Sequence, residues 1–154
     1  IFDRRSLNGL RLLGRAFESI ELAYGGRLGY MSVTFEMVNS VESSMDETDG
    51  FIDYVLSVEG VEVAVLFKEA PEGTKMSFRS KGTWPVNRWA QQFGGGGHRN
   101  ASGAYVEGDS MEAVIERVVD AAPRHVPQLD PDGEVDGAVT GEDGTVMSTY
   151  ETAS

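Results

Sequence analysis

Apolar residues recur at intervals of three and four positions in two long stretches of the chain. This spacing predicts amphipathic helices over residues 8–23 and over residues 111–122, and Pro123 and Pro127 are expected to close the second. Shorter helices are predicted at residues 34–40 with Thr34 as the cap, at residues 44–56 with a break near Gly50, and from Thr83-Trp84-Pro85 to Phe93.

Alternating positions, with a strongly apolar face, predict a β-hairpin in the middle of the chain. Residues 61–68 alternate, turn residues follow at 70–73, and residues 75–81 resume the alternation. One face of the second strand carries a polar and cationic set, which is Lys75, Ser77, Arg79 and Lys81. With further strands at 28–35 and 104–107, we predict an α/β fold, a mixed sheet of about four to five strands flanked by helices.

The charge of the chain is uneven. There are 13 Lys and Arg against 25 Asp and Glu, a formal net charge of -12, which argues against general coating of nucleic acid. However, residues 73–106 contain no acid, and they hold five bases, Lys75, Arg79, Lys81, Arg88 and Arg99. An anionic ligand with few phosphates is therefore expected to bind within this basic segment.

The residues that are missing exclude several kinds of site. The chain has no cysteine and only two histidines, so disulfides, thiolate metal sites and a cysteine nucleophile are excluded. No apolar run has the length of a transmembrane helix, and we expect a soluble, cytoplasmic protein and a fragment of a longer one. Residues 128–154 have seven acids and no base, which predicts a solvated tail.

Four consecutive glycines, from Gly94 to Gly97, are followed directly by His98, Arg99 and Asn100. Backbone N–H groups in a glycine-rich segment can surround an anion, and each of the three following side chains can donate to an anionic oxygen. A flexible connector is the alternative interpretation. The position of the glycines between predicted elements, inside the basic segment, favours an anion site at one edge of the sheet.

Three separated motifs resemble the DHHA1 domain, the substrate-binding half of the DHH phosphoesterases. They are FGGGGHRNASG at residues 93–103, SFRSKG at 77–82 followed by Val86-Asn87, and LLGR at 12–15. The resemblance covers residues 7–122. It implies that residues 1–6 end an interdomain linker, and it leaves residues 123–154 as an acidic, flexible tail. Its nearest subgroup is the oligoribonuclease and pAp phosphatase type.

The resemblance implies a hydrolase with two domains. An N-terminal DHH domain would hold two Mn²⁺ ions through Asp and His, but no Asp-His-His triplet occurs in this chain. We therefore expect no metal site and no catalytic residue here, and no hydrolysis by these residues alone. The implied partners are a short oligoribonucleotide or pAp, the chain's own DHH domain and a second copy of the chain in a homodimer, without any membrane.

The resemblance also implies roles for individual residues. Gly95, Gly96, Gly97 and His98 would bind a phosphate, and Arg79 would pair with a phosphate oxygen beside Ser80 and Lys81. Alternation places Ser80 on the face of the strand opposite Arg79. A bend in the strand would therefore be needed for both side chains to contact the same phosphate. The expected rim residues are Trp84, Arg99 and Asn100.

Two other functions remain open at this stage. The first is a phosphoesterase of the same class with a different substrate. That substrate would be polyphosphate, as in an exopolyphosphatase, or longer single-stranded DNA, as in a RecJ-like enzyme. The second is a non-catalytic nucleotide-binding or sensing module. An exposed arginine on a hairpin is ordinarily only solvated, and Trp84 could stack on a base or simply pack.

Overall fold

The computed structural model describes residues 4–130, which form one mixed sheet with helices on both faces. The strands are β1 (Glu21–Ala23), β2 (Leu28–Val33), β3 (Val63–Ala70), β4 (Gly73–Ser80), β5 (Gly96–His98) and β6 (Ala101–Glu107). Their order across the sheet is β1-β2-β3-β4-β6-β5. Only the β2–β3 pair is parallel. The predicted α/β class is confirmed, with six strands rather than four or five.

Five α-helices cover the sheet. They are α1 (Leu7–Glu18), α2 (Phe35–Ser40), α3 (Phe51–Leu56), α4 (Asn87–Gln92) and α5 (Met111–His125), and short 3-10 helices lie at Met45–Thr48 and Pro127–Leu129. Thr34 caps α2 as predicted, because its hydroxyl accepts the N–H of Met37 at 3.1 Å. None of the helices in residues 4–130 is long and apolar enough to cross a bilayer.

The two faces of the sheet bury separate apolar clusters. On one face, α4 and α5 pack against β2, β3 and β4, with Phe78 and Trp89 in edge-to-face contact at 4.9 Å between ring centroids. On the other face, α1, α2 and α3 pack against β2 and β3, around Met31 and Leu66, and α3 also reaches β4. The apolar cluster on this second face therefore does not extend to β6 and β5.

Three predicted element boundaries are wrong. The helix predicted to reach residue 23 ends at Glu18, because Glu21–Ala23 pairs with β2 instead. The helix predicted from Thr83 begins at Asn87, since a residue before proline avoids helical backbone and Trp84 precedes Pro85. The predicted strand 104–107 starts earlier, at Ala101, where β4 and β5 pair with it.

Pro123 does not close α5, which continues to His125. A proline cannot donate to the carbonyl four residues earlier, and here the Tyr24 hydroxyl donates to that Val119 carbonyl at 2.6 Å. Burial and Asp120 raise the pKa of Tyr24.

Packing also continues beyond the boundary predicted at residue 122. Val126 and Leu129 are fully buried in the cluster under α4 and α5. These two residues therefore belong to the folded core and not to a solvated tail. The rest of the predicted tail, residues 131–154, lies outside the described residues, as do residues 1–3 of the predicted linker.

Candidate functional site

The half of the sheet formed by β4, β6 and β5 has one face that α1 and α2 do not cover and that α3 reaches beside Arg79. In the cluster beneath those helices, the sheet residues come only from β2 and β3, and they are Met31, Val33, Ala64 and Leu66. Side chains that are partners in register share a face of the sheet. On β4 this face carries Lys75, Ser77 and Arg79, as the sequence predicted. We call it the open face.

Arg79 and His98 lie in one row across the open face. Arg79 is aligned with Ala101 on β6, and Ala101 is aligned with His98 on the edge strand β5. With strands about 4.8 Å apart, the Cα atoms of Arg79 and His98 are separated by roughly 10 Å. Between the side chains of Arg79 and His98, this row contains only the methyl group of Ala101. We call these three residues the near row.

The next row is built from very small residues. Ser77 is aligned with Gly103, and Gly103 is aligned with Gly96. The largest of these three side chains is the hydroxymethyl group of Ser77, and all three residues are partly exposed. The middle row therefore leaves the backbone accessible beside the near row, which gives a flat floor on which a ligand could lie.

Arg79 has one charged neighbour. Its Nη1 atom lies 3.9 Å from Asp53 Oδ1 on α3, and the two side chains are 42% and 72% exposed. Exposed pairs at this distance are weak because water screens them. A phosphate could therefore replace the carboxylate. Lys81 follows the last residue of β4 and is exposed, and its N–H donates to the Glu62 carbonyl at 3.0 Å.

The glycine run lies at the edge of the sheet, where Gly94 and Gly95 form the predicted loop and Gly96–His98 continues as β5. A Cβ atom at Gly95 would lie 1.9 Å from the Gly103 carbonyl oxygen. At Gly97, where φ is +144°, it would lie 2.8 Å from the Ala101 carbonyl oxygen. Close approach to β6 thus requires glycine at both positions. The Gly95 N–H donates to Ala90 O at 3.0 Å, so the structure does not present it to a ligand.

Ser80 and Asn100 are not on the open face. The Ser80 hydroxyl donates to the Trp84 carbonyl, and Asn100 Nδ2 donates to Ser80 Oγ at 2.9 Å and to Gly82 O at 3.1 Å. The Ser80 N–H in turn donates to Asn100 O at 3.1 Å. These bonds join the end of β4 to the turn between β5 and β6. Both residues therefore support the positions of Arg79 and His98.

The remaining predicted rim residues lie close to this junction. Trp84 is half-buried and packs against the cluster under α4 and α5, on the side of the sheet opposite Arg79. Arg99 is exposed, and its Nη2 atom donates to Thr83 O at 3.4 Å. Ser102 donates from Oγ to the His98 carbonyl at 2.7 Å, which closes the turn that carries His98.

Sequence reasoning missed Lys68, which belongs to the open face. It is aligned with Lys75 across β3 and β4, and its Nζ donates to Thr48 Oγ1 at 3.1 Å. Burial lowers the pKa of Lys68, Lys75 lowers it further, and Asp49 and Asp46 act in the opposite direction. Lys68 lies before the basic segment in sequence, so only the hairpin register could have revealed it.

Within residues 4–130, no three Asp, Glu or His side chains come together in a way that could hold a metal ion. What the open face can do chemically is hold an anion by charge and hydrogen bonding.

Comparison with known proteins identifies the family. Residues 31–123 match the DHHA1 domain. The bifunctional oligoribonuclease and PAP phosphatase NrnA of Thermus thermophilus is 33% identical over 111 residues, 72% of this chain and 33% of that protein. The protein of the same name from Bacillus subtilis is 27% identical over 114 residues, 71% of this chain and 36% of that protein. The chain thus spans about a third of the length of these relatives.

Two solved structures are similar in fold. An exopolyphosphatase-related protein from Bacteroides fragilis has a TM-score of 0.74 and 32% identity, over 83% of this chain and 38% of that one. The pGpG-specific phosphodiesterase PggH from Vibrio cholerae has a TM-score of 0.53 over 74% of this chain and 37% of that one, and its 12% identity indicates a shared fold alone. The resemblance inferred from the three sequence motifs is confirmed, and the chain belongs to the DHHA1 domain family.

Proposed function

We propose that the open face binds the phosphate of a short oligoribonucleotide or of pAp, as the substrate-binding part of a DHH phosphoesterase. The observation that carries this proposal is the alignment of Arg79 and His98 across β4, β6 and β5, beside a floor of small residues. The names of the two NrnA relatives, an oligoribonuclease and PAP phosphatase, support the choice of substrate class.

Arg79 and His98 have complementary abilities toward a phosphate. The guanidinium group of Arg79 offers a planar fork of donors with a permanent charge, which matches two phosphate oxygens. The His98 imidazole donates one hydrogen bond from the other side of Ala101, and its side chain is exposed. A phosphate above Ala101 would be held between them. Lys81 and Arg99 add positive charge at the rim.

In this proposal hydrolysis belongs to a preceding DHH domain. Mn²⁺ held there would supply an activated water, and the present chain would position the substrate. The proposal therefore assigns binding and orientation to this chain and assigns no turnover to it.

The charge distribution favours a short ligand over a polymer. The five bases of residues 73–106 are surrounded by a remainder with 25 acids and 8 bases, a balance of -17. A long polyanion would meet this acidic remainder within a few Debye lengths, each about 8 Å at physiological salt. A mononucleotide or short oligonucleotide would contact the open face alone.

Calorimetric titration with pAp tests the site. We expect the wild type to bind, and Arg79→Ala and His98→Ala each to lose roughly tenfold to a hundredfold in affinity, the usual cost of one charge-assisted hydrogen bond. Arg124→Ala is the matched control, because Arg124 is exposed on α5 and away from the open face. Equal affinity for wild type, Arg79→Ala and His98→Ala would refute the site.

An activity assay tests whether this chain binds the substrate without hydrolysing it. Incubation of the chain with Mn²⁺ and a short oligoribonucleotide should give no product, because binding alone does not activate water. Turnover that survives purification and disappears on heat denaturation would show that the present chain contains a catalytic centre, contrary to the proposal.

A further inference from the structure

A third row of side chains lies on the open face, beyond Ser77. Lys75 is aligned with Lys68 on β3 and with Tyr105 on β6. We call Lys68, Lys75 and Tyr105 the far row. It lies four residues from Arg79 along β4, a distance of roughly 13 Å at the rise of a strand. The far row therefore lies on the same surface as the near row, but the two rows are too far apart to contact one phosphate group.

The two lysines of the far row are directly opposed like charges. Such pairs destabilise a sheet, and the lowered pKa of Lys68 reflects both its burial and the charge of Lys75. Lys68 is held in place by its bond to the hydroxyl of Thr48, a residue that is itself buried. An anion near Lys75 would remove the repulsion between the lysines, so this position suits a negatively charged group.

Tyr105 supplies an aromatic surface next to these charges. Its residue is 45% exposed. One side of the ring rests on β4, since a Cβ atom added at Gly73 would come within 2.9 Å of Tyr105 Cζ. Glycine at 73 thus lets the ring lie against the strand. A ring supported on one side and open on the other is suited to stacking with a nucleobase.

We propose that the far row is a second subsite, which binds the distal nucleotide of an oligonucleotide whose terminal phosphate lies between Arg79 and His98. Tyr105 stacks on the distal base and Lys75, beside Lys68, contacts the distal phosphate. This inference rests on the proposed function. Glu107, aligned with Gly73 beside the Tyr105 ring, places a carboxylate at the outer end of the subsite and limits the length of the bound strand.

The subsite predicts discrimination between substrates. AMP has one base and one phosphate, so it occupies the near row alone. The 5′-phosphorylated dinucleotide pApA reaches across the middle row, where Ser77, Gly103 and Gly96 leave room for the connecting sugar. The dinucleotide should therefore bind more tightly than AMP.

Parallel calorimetric titrations of the whole chain with pApA and AMP test the subsite. Lys75→Gln and Tyr105→Leu should each weaken pApA binding about tenfold, consistent with the loss of a stacked base or a phosphate contact, and change AMP binding by less than about twofold. Tyr105→Phe keeps the ring and should keep wild-type affinity for pApA. Arg124→Gln serves as the charge-matched control.

The outcomes separate the two proposals. If the wild type binds both ligands and the far-row variants bind pApA normally, or lose pApA and AMP equally, the second subsite is wrong and the proposed function stands. If the wild type binds neither ligand, the proposed function fails and the subsite fails with it. Equal wild-type affinity for AMP and pApA would also refute the subsite.

Discussion

Asn100 Nδ2 lies 2.9 Å from Ser80 Oγ and donates a hydrogen bond to it. This bond joins the residue after Arg79 to a residue two positions after His98. The same amide nitrogen also lies 3.1 Å from Gly82 O, to which it donates. The near row is therefore assembled by side chains on the other side of the sheet, which hold its two ends at a constant separation.

Asn100→Ala should destabilise the fold and weaken ligand binding together. The partly buried Ser80 hydroxyl and the exposed Gly82 carbonyl would lose a donor, and an unsatisfied buried hydroxyl costs about 1–3 kcal/mol of unfolding free energy. Urea denaturation followed by circular dichroism measures this cost. Asn39→Ala, at an exposed position on α2, is the control and should change stability by less than about 0.5 kcal/mol. Equal stability of the two variants would contradict the supporting role.

Neighbouring glycines should respond very differently to the same substitution. Gly95→Ala places a methyl group 1.9 Å from the Gly103 carbonyl oxygen and should cost roughly 3 kcal/mol, the upper range for overpacking. Gly96→Ala meets only a flexible side-chain atom at 3.8 Å and should cost less than about 1 kcal/mol. Thermal unfolding of both variants gives the comparison. Similar losses would show that the glycines serve a shared purpose other than close approach to β6.

Tyr24 and Pro123 should be energetically coupled through Val119. Tyr24→Phe leaves the Val119 carbonyl without its donor and should cost about 1–3 kcal/mol. In a Pro123→Ala background, the restored N–H can donate to that carbonyl, so the same Tyr24→Phe change should cost less than about 1 kcal/mol. A double-mutant cycle of unfolding free energies measures the coupling. Strict additivity would refute it.

Asp53→Asn should strengthen phosphate binding. The carboxylate competes for Arg79 from 3.9 Å, and exposed pairs of this kind contribute about 0.2–1 kcal/mol. Removing it should raise the affinity for AMP by up to about fivefold. Glu116→Gln changes the net charge equally on α5 and should leave affinity almost unaltered. A loss of affinity in Asp53→Asn would mean that the carboxylate helps to hold the ligand.

The hairpin and its cationic face could be predicted from the sequence because alternation is a local property. Lys75, Ser77 and Arg79 share a face in any strand that contains them. Resemblance to a family drew attention to Arg79 and His98 as separate residues, but their alignment depends on β6 pairing with both β4 and β5. Neither pairing is visible in residue spacing.

Other features could not be predicted because they depend on tertiary pairing. Glycine has no side chain to alternate, so β5 gave no strand pattern and exists only through β6. The helical period of α1 continues in the sequence to Ile20, yet pairing with β2 makes Glu21–Ala23 a strand. Asn100 was expected at the rim since its amide can bind anions, whereas the fold turns it toward Ser80.

The central claim is that the open face of β4, β6 and β5 binds phosphate. Backbone amide chemical shifts during titration of the isotopically labelled chain with AMP test it most directly. We expect the largest changes at the near and middle rows, which are Arg79, Ala101, His98, Ser77, Gly103 and Gly96. Saturable changes centred instead on α4 and α5, on the opposite side of the sheet, would contradict the claim.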